Sequence, residues 1–225
     1  TPRSNRRQRQ MCIRDRSTDT GIEARFDTPA TKAALEFLLR LSEEGVMQPG
    51  GISWGETPKA FIEGQTASMW TSTGNLAFVN DNAEFNWDVG FLPGGDGPGA
   101  PLGGGNFYIF KDTTDEEREA ALDFIKFMTA PENAATWAIA TGYVAPRPDT
   151  WETPVMKEYA ERLPQALVAL EQLPYAEREF AVFQRAKVTQ YLVDAIESVI
   201  AGEADPAAAL AEAQEMADEV LGEYQ

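Results

Sequence analysis

The sequence predicts an α/β protein that is rich in helices and poor in strands. Hydrophobic residues make up 43% of its 225 residues, enough to bury a sizeable core. The sequence indicates where several helices start, because a side-chain oxygen that can cap a helix stands directly before a proline suited to the first helical turn. This pairing occurs at Thr28-Pro29, Thr57-Pro58, Thr153-Pro154 and Asp205-Pro206. Strand-like runs are few and short.

The predicted helices follow from these starts and from matching stop signals. Pro131 opens a further helix, and Thr114 with Glu117 makes a capping box at the start of another. Glycines stand where helices should end, at Gly45, Gly64, Gly142 and Gly202. The predicted helices span 29–44, 58–63, 115–129, 131–140, 154–161, 164–172, 178–201 and 206–223.

Three runs have the composition of strands. Residues 66–71, 86–92 and 106–110 are aromatic or β-branched and are bounded by glycine or proline. The glycine- and proline-rich stretch 93–105 lies between the last two runs and is predicted to be a loop.

The first sixteen residues differ from the rest of the chain. Residues 1–16 hold six arginines and one acid, show no hydrophobic period, and have the character of translated sequencing-adapter sequence. We expect them to be a non-native, disordered segment and exclude them from fold prediction. The alternative is a basic arm that binds an acidic partner. If residues 1–16 are non-native, we expect residues 17–225 to be the C-terminal portion of a longer protein, contributing parts of both of its lobes.

The charge and residue usage exclude several classes of function. Without residues 1–16 the chain holds 13 basic and 35 acidic side chains, a net charge of −22. Such a surface repels nucleic-acid phosphates and keeps a protein monomeric. The sequence has no histidine, and its one cysteine, Cys12, lies in the segment set aside, so no Ser-His or Cys-His nucleophile and no cofactor or metal site is expected. No apolar run is long enough to span a membrane.

Ser72 lies in the most informative local motif. The predicted strand 66–71 ends here, the three hydroxyl-bearing residues Thr71, Ser72 and Thr73 stand at its end, and a helix begins near Gly74. Free N–H groups at such a start suit phosphates and hydroxyl-rich ligands. The alternative is that Ser72 only caps the helix.

Two further stretches are candidate ligand contacts. Gly104 and Gly105 end a glycine run that enters a predicted strand, where a ligand could approach the backbone closely; a flexible turn is the alternative. Tyr143 stands at a helix-ending turn, where its ring could stack on a sugar face and its hydroxyl could form a hydrogen bond. Core packing is the alternative for Tyr143.

Arg185 is the candidate contact for an anionic group. It and Lys187 are rare cations in an acidic chain, and a salt-bridged or solvated surface role is the alternative. Acidic pairs such as Glu43-Glu44 leave open a hydrolase that uses two carboxylates, although nothing in the sequence singles one pair out. A third possibility is an interaction module that presents acidic helices to a basic partner.

The order of these motifs resembles one protein family. The run 60–69, the Ser72-Thr73-Gly74 motif, the glycine turn 103–105 and the segments 131–137 and 141–146 follow one another as in family 1 extracellular solute-binding proteins of ABC importers, of the sugar or glycerol-3-phosphate-binding type. The resemblance covers about 20–225.

This resemblance implies a fold and a function. The fold would be the class II periplasmic-binding-protein fold, in which two α/β lobes close on a ligand between them, here incomplete. Ligand contacts are implied at Ser72, at Gly104 or Gly105 and at Tyr143. The family's glycerol-phosphate binders carry an arginine near the position of Thr189, with Arg185 only close by, so phosphate and neutral-sugar ligands both stay open.

The resemblance further implies a protein that does no chemistry. Its partners would be a small hydroxylated solute and the permease subunits of an importer, it would use no cofactor, and it would be a monomer. It would lie in the periplasm or another extracytoplasmic space, free or lipid-anchored.

Overall fold

The structure is a computed structural model, and it describes residues 21–47, 54–94, 99–178 and 180–225. The predicted non-native segment 1–16 lies outside the described residues. The chain divides into two compact units, one made of Thr1–Ile52 with Arg178–Gln225 and the other of Ser53–Glu177.

The first unit is a helical cluster built from both ends of the chain. Its helices are α1 (Pro29–Glu43), α9 (Arg185–Ile200) and α10 (Pro206–Gly222). These helices turn apolar faces toward one another, and α10 contributes the most residues to the core. The fully buried side chains of this core include Phe26, Val188, Val199, Leu210 and Leu221.

The second unit carries the remaining elements. Its core consists of small and apolar side chains from three helices and from two of the connecting segments: Ala135, Ala138, Ala145, Met156, Tyr159, Leu163 and Ala166. The helices are α2 (Glu56–Ile62), α3 (Leu76–Asn82), α4 (Asp115–Met128), α5 (Pro131–Thr141), α6 (Pro148–Trp151), α7 (Pro154–Arg162) and α8 (Gln165–Gln172). Two 3₁₀ turns, Thr73–Asn75 and Leu173–Tyr175, precede α3 and follow α8.

Side-chain caps explain several helix starts as predicted. The hydroxyl of Thr28 accepts a hydrogen bond from the backbone N–H of Thr31 at 3.1 Å. The Asp205 carboxylate accepts two backbone N–H bonds at the start of α10. Thr114 and Glu117 form the predicted capping box. These bonds satisfy N–H groups that have no partner inside their helix.

Two predicted caps are wrong. The helix predicted from Thr57-Pro58 begins at Glu56, with Gly55 before it and no side-chain cap. Thr153 precedes α7 as expected, yet its hydroxyl donates to the carbonyl of Thr150 at 2.7 Å instead of accepting from the helix. A hydroxyl at a helix start thus took a local carbonyl partner, which a pattern of residue types cannot distinguish.

The three predicted strands are not formed. Residues 66–71, 86–92 and 106–110 have no strand hydrogen bonding. Within the described residues the sheet is β1 (Ala100–Leu102) paired with β2 (Ala176–Arg178). The stretch 93–105, predicted to be entirely loop, therefore contains β1. Strand residues need a neighbouring strand to satisfy their backbone groups, and no described segment forms a strand ladder with these three runs.

The helix predicted over 178–201 begins later than expected, at Arg185. Residues 176–178 form β2, and Phe180 and Val182 pack against the first unit's core. Gln184 has a left-handed backbone with φ of 51° directly before α9. Tertiary packing has therefore overridden the helical pattern of this segment.

Candidate ligand-contact corner

The Ser72 motif forms the start of a tight helical turn. Ser72 is extended, with φ −78° and ψ 153°, and its hydroxyl accepts a hydrogen bond from the backbone N–H of Gly74 at 3.2 Å. The side-chain amide of buried Asn75 donates to the hydroxyl of Thr71 at 2.5 Å. α3 then continues from Leu76. Ser72 thus caps this turn, which is the alternative role that the sequence left open for it. Its side chain is half-buried.

The end of α5 approaches this turn very closely. A Cβ atom at Gly142 would stand 2.5 Å from the Cβ of Leu76 and 2.8 Å from the carbonyl oxygen of Thr73. Gly142 also has φ of 87°, which L-amino acids with side chains rarely adopt. Position 142 therefore needs glycine both for its backbone shape and for the contact.

Tyr143 lies directly over the turn. A Cβ atom at Gly74 would stand 2.5 Å from Cζ and 2.7 Å from the hydroxyl oxygen of Tyr143, so the phenol end packs on the backbone of Gly74. The Tyr143 side chain is still 45% exposed. We call residues 72–76 with Gly142 and Tyr143 the Ser72–Tyr143 corner.

The corner brings together two of the predicted contacts that are distant in sequence. Ser72 and Tyr143 both lie in the second unit, and the hydroxyls of Ser72, Thr73 and Tyr143 sit on residues that are partly or largely exposed. Hydroxyls that can donate and accept, beside an accessible aromatic ring, suit a polar ligand with an apolar face.

The glycine contacts are not joined to this corner by any described contact. Gly104 and Gly105 are exposed, and a Cβ atom at either would meet no atom within 4 Å. The strand that was expected to hold them is absent. They lie in the second unit, in a stretch open to solvent.

Arg185 lies in the other unit. It is the first residue of α9 and is exposed. Lys187 lies in the same first turn, which contains no acidic residue.

Two carboxylates of the described residues have a lowered pKa, those of Glu117 and Asp149. Glu117 accepts hydrogen bonds from the backbone and hydroxyl of Thr114, which lower its pKa. The hydrogen bond from Arg147 likewise lowers the pKa of Asp149. A general acid needs a raised pKa, the opposite direction.

No cluster of three potential metal ligands occurs in the described part of the chain. In that same part, each helix is too short or too polar to cross a bilayer.

Asn75 and Gly142 are the positioning residues that the sequence analysis missed. Gly142 was predicted only as a helix end, and Asn75 was not singled out. Asn75 is buried, and it ties the turn to Thr71, whereas Gly142 permits the approach of α5. The sequence shows Asn75 beside Gly74 and Gly142 at a helix end, but the burial of Asn75 and the approach of α5 are tertiary features that it does not show.

Solved structures with a similar fold are binding proteins. The cyclic α-maltosyl-1,6-maltose binding protein from Arthrobacter globiformis superposes with a TM-score of 0.76 at 24% identity, over 96% of this chain and 55% of that one. UgpB from Mycobacterium tuberculosis in complex with glycerophosphocholine gives 0.73 at 24% identity, over 92% and 52%. The chain thus has part of the fold that the sequence predicted, that of the periplasmic binding proteins.

The sequence comparisons agree with the fold. The sn-glycerol-3-phosphate-binding periplasmic protein UgpB of Pectobacterium atrosepticum is 27% identical over 219 residues, which is 92% of this chain and 48% of that protein. The chain therefore spans about half the length of the curated relatives it matches. The profile of the family described as bacterial extracellular solute-binding protein matches residues 14–165. The chain belongs to this family, as its motif order predicted.

Proposed function

We propose that the protein is part of the substrate-binding component of an ABC-type importer. It captures a carbohydrate or a glycerol-3-phosphate-like solute and delivers it to a membrane permease. The observation that carries the proposal is the Ser72–Tyr143 corner, where a hydroxyl-bearing turn and an accessible tyrosine come together from separate parts of the sequence.

The corner suits a hydroxylated ligand. The Tyr143 ring offers an apolar face for stacking, and its hydroxyl can donate or accept. Ser72 and Thr73 add hydroxyls beside it, although the Ser72 oxygen already accepts one bond from Gly74. The close packing of Gly142 against Thr73 fixes this arrangement before any ligand arrives, which reduces the entropic cost of binding.

Gly104, Gly105 and Arg185 are the other proposed ligand contacts. Gly104 and Gly105 present bare backbone to solvent, so a ligand can approach them without a side chain in the way. Arg185 would meet an anionic group such as a phosphate. One of the named relatives is described as a sugar-binding protein, and two are described with glycerol 3-phosphate or one of its esters. We therefore propose either a sugar or a glycerol phosphate as the ligand.

The proposed protein binds its ligand without altering it. The relatives named above are binding proteins by description. We therefore do not favour the carbohydrate-active hydrolase that the sequence left open.

We further propose a cellular location, a docking partner and an oligomeric state. The relatives' names support a periplasmic or similar extracytoplasmic location, with a permease as the docking partner. The chain's net charge of −17 opposes self-association and favours a monomer.

Ligand screening tests the proposal. The chain is titrated calorimetrically with maltose, ribitol, glycerol 3-phosphate and glycerophosphocholine, and each mixture is then analysed for products. We expect saturable binding of at least one compound and no conversion of any. Turnover of a glycoside or phosphodiester, or the absence of binding across the panel, would reject the proposal.

A further inference from the structure

A buried glutamine at the end of α8 binds two separate stretches of backbone. Gln172 is only 7% exposed. Its side-chain nitrogen donates to the carbonyl oxygens of Leu92 at 3.4 Å and Gly99 at 3.2 Å, and its side-chain oxygen accepts from the backbone N–H of Leu92 at 3.2 Å. The amide therefore donates to and accepts from Leu92 as a neighbouring strand would, and it also binds Gly99.

Further contacts hold the same region in place. Next to Leu92, the ring of Phe91 lies against that of Tyr175, with centroids 6.3 Å apart. Directly after Gly99, strand β1 pairs with β2. Leu92, Gly99 and β1 are therefore held against the chain segment that runs from the end of α8 through β2.

The glycine turn 103–105 begins where these contacts end. It follows β1 directly, and a Cβ atom at Gly103, Gly104 or Gly105 would meet no described atom within 4 Å. A backbone without side chains and without packing partners does not fix its own position. The position of the turn is therefore determined by β1, and that of β1 by its pairing with β2 and by the bond from Gln172 to Gly99.

A buried amide of this kind specifies geometry more than it adds stability. A hydrogen bond adds little net stability, whereas an unpaired buried polar group is costly, so a fully paired amide favours one arrangement of its partners. An apolar side chain at position 172 would fill space without selecting which backbone atoms it meets. The three bonds of Gln172 make that selection at Leu92 and Gly99.

We propose that Gln172 is a positioning residue for ligand binding. Through Gly99 and β1, it sets where Gly104 and Gly105 present their backbone to a hydroxylated solute. Gln172 acts through these residues and does not itself touch the solute. This role rests on the proposed function, because it concerns two of the ligand contacts named there.

Gln172→Glu tests this role through the pH dependence of binding. Glutamate has the same shape, but its carboxylate cannot donate to the carbonyls of Leu92 and Gly99. Protonation restores one donor, and burial beside carbonyl oxygens raises the pKa of the new carboxyl. We expect an affinity at least about 10-fold below that of the unmodified chain at about pH 7.5, with recovery toward the unmodified value at about pH 5.

Calorimetric titration with maltose, ribitol, glycerol 3-phosphate and glycerophosphocholine provides the measurement. The affinity of the variant is divided by that of the unmodified chain at the same pH, which cancels any titration of the solute itself. Gln165→Glu is the matched control, because Gln165 lies on the same helix and its side chain has no described hydrogen bond. It should match the unmodified chain at both pH values.

Hydrogen exchange in the absence of solute gives a second readout. Gln172→Leu should speed the exchange of peptides that cover β1 at least about 10-fold relative to Gln165→Leu, because β1 loses the bond that holds Gly99 beside it. Unchanged exchange of β1 in Gln172→Leu would overturn the positioning role.

The titrations separate this role from the proposed function. If the unmodified chain binds a compound and Gln172→Glu binds it equally well, or more weakly by a factor that does not depend on pH, the role of Gln172 is rejected and the proposed function stands. If the unmodified chain binds none of the four compounds, both are rejected.

Discussion

At the scale of single residues, the candidate site depends on two glycines. Gly74 leaves room for the phenol of Tyr143, and Gly142 lets α5 meet the turn before α3. Of these two glycines, only Gly142 also has a left-handed backbone. The geometry of the corner is therefore set by residues without side chains, while the proposed ligand contacts come from Ser72 and Tyr143.

Gly142→Ala should be strongly destabilising. The new methyl group meets the carbonyl of Thr73 and the side chain of Leu76, and the backbone conformation is itself unfavourable for alanine. We expect a loss of about 3 kcal/mol or more in the free energy of unfolding, measured by urea denaturation.

Gly64→Ala separates the two causes. Gly64 has φ of 70°, yet a Cβ atom there meets nothing within 4 Å. Gly64→Ala should therefore lower the free energy of unfolding by about 1–2 kcal/mol, the cost of the left-handed backbone alone. Equal losses for the two variants would show that the contact between α5 and the turn is not tight.

At the scale of elements, the capping box of α4 makes stability depend on pH. The Glu117 carboxylate accepts bonds of 2.9 Å from the backbone N–H and the hydroxyl of Thr114, which lower its pKa in the folded protein. Its stabilising contribution is present above the pKa of the unfolded chain and is lost as the pH falls through the lower, folded pKa.

Glu117→Gln should therefore reduce the acid sensitivity of the protein. Glutamine keeps the capping geometry but cannot be protonated in this range. We expect a smaller loss of stability between pH 6 and pH 3, followed by thermal unfolding at several pH values. Glu116→Gln, at the adjacent position without a described hydrogen bond, is the matched control. An unchanged pH profile for Glu117→Gln would contradict the assigned role.

The sequence predicted helices better than strands for a physical reason. Helix starts such as Thr28, Thr114 and Asp205 are local, because the cap and its N–H partners lie within a few residues. The run 106–110 has strand composition, but its pairing depends on a distant segment that composition does not specify. The start of α9 was missed because Phe180 and Val182 pack into a core, a tertiary effect.

The candidate site was partly predictable for the same reason. The motifs at Ser72 and Tyr143 were each visible as a turn. Their contact depends on how α5 returns to α3, which no local pattern contains. The predicted roles of Ser72, Gly104, Gly105, Tyr143 and Arg185 as ligand contacts all stay predictions.

At the scale of the whole molecule, the described residues form two buried cores that share no residue. Leu210 is fully buried in the first unit and Met156 in the second. Each unit therefore draws its stability from its own apolar contacts.

Substitutions in the two cores should act independently. Leu210→Ala and Met156→Ala should each cost about 2–5 kcal/mol in the free energy of unfolding, because each leaves a cavity. The double variant should show the sum of the two losses within about 0.5 kcal/mol, measured by urea denaturation. A clear departure from additivity would show that the cores are coupled. Phe37→Ala, at an exposed position, is the control for surface truncation.

The central claim is that the Ser72–Tyr143 corner contacts the ligand, and calorimetric titration of Tyr143→Ala tests it most directly. With the compound that binds the unmodified chain, we expect affinity to fall at least about 10-fold, because a stacking ring and a hydroxyl are removed. Trp54→Ala, which removes another exposed aromatic side chain of the same unit, should bind normally. Unmodified affinity in folded Tyr143→Ala would contradict the claim.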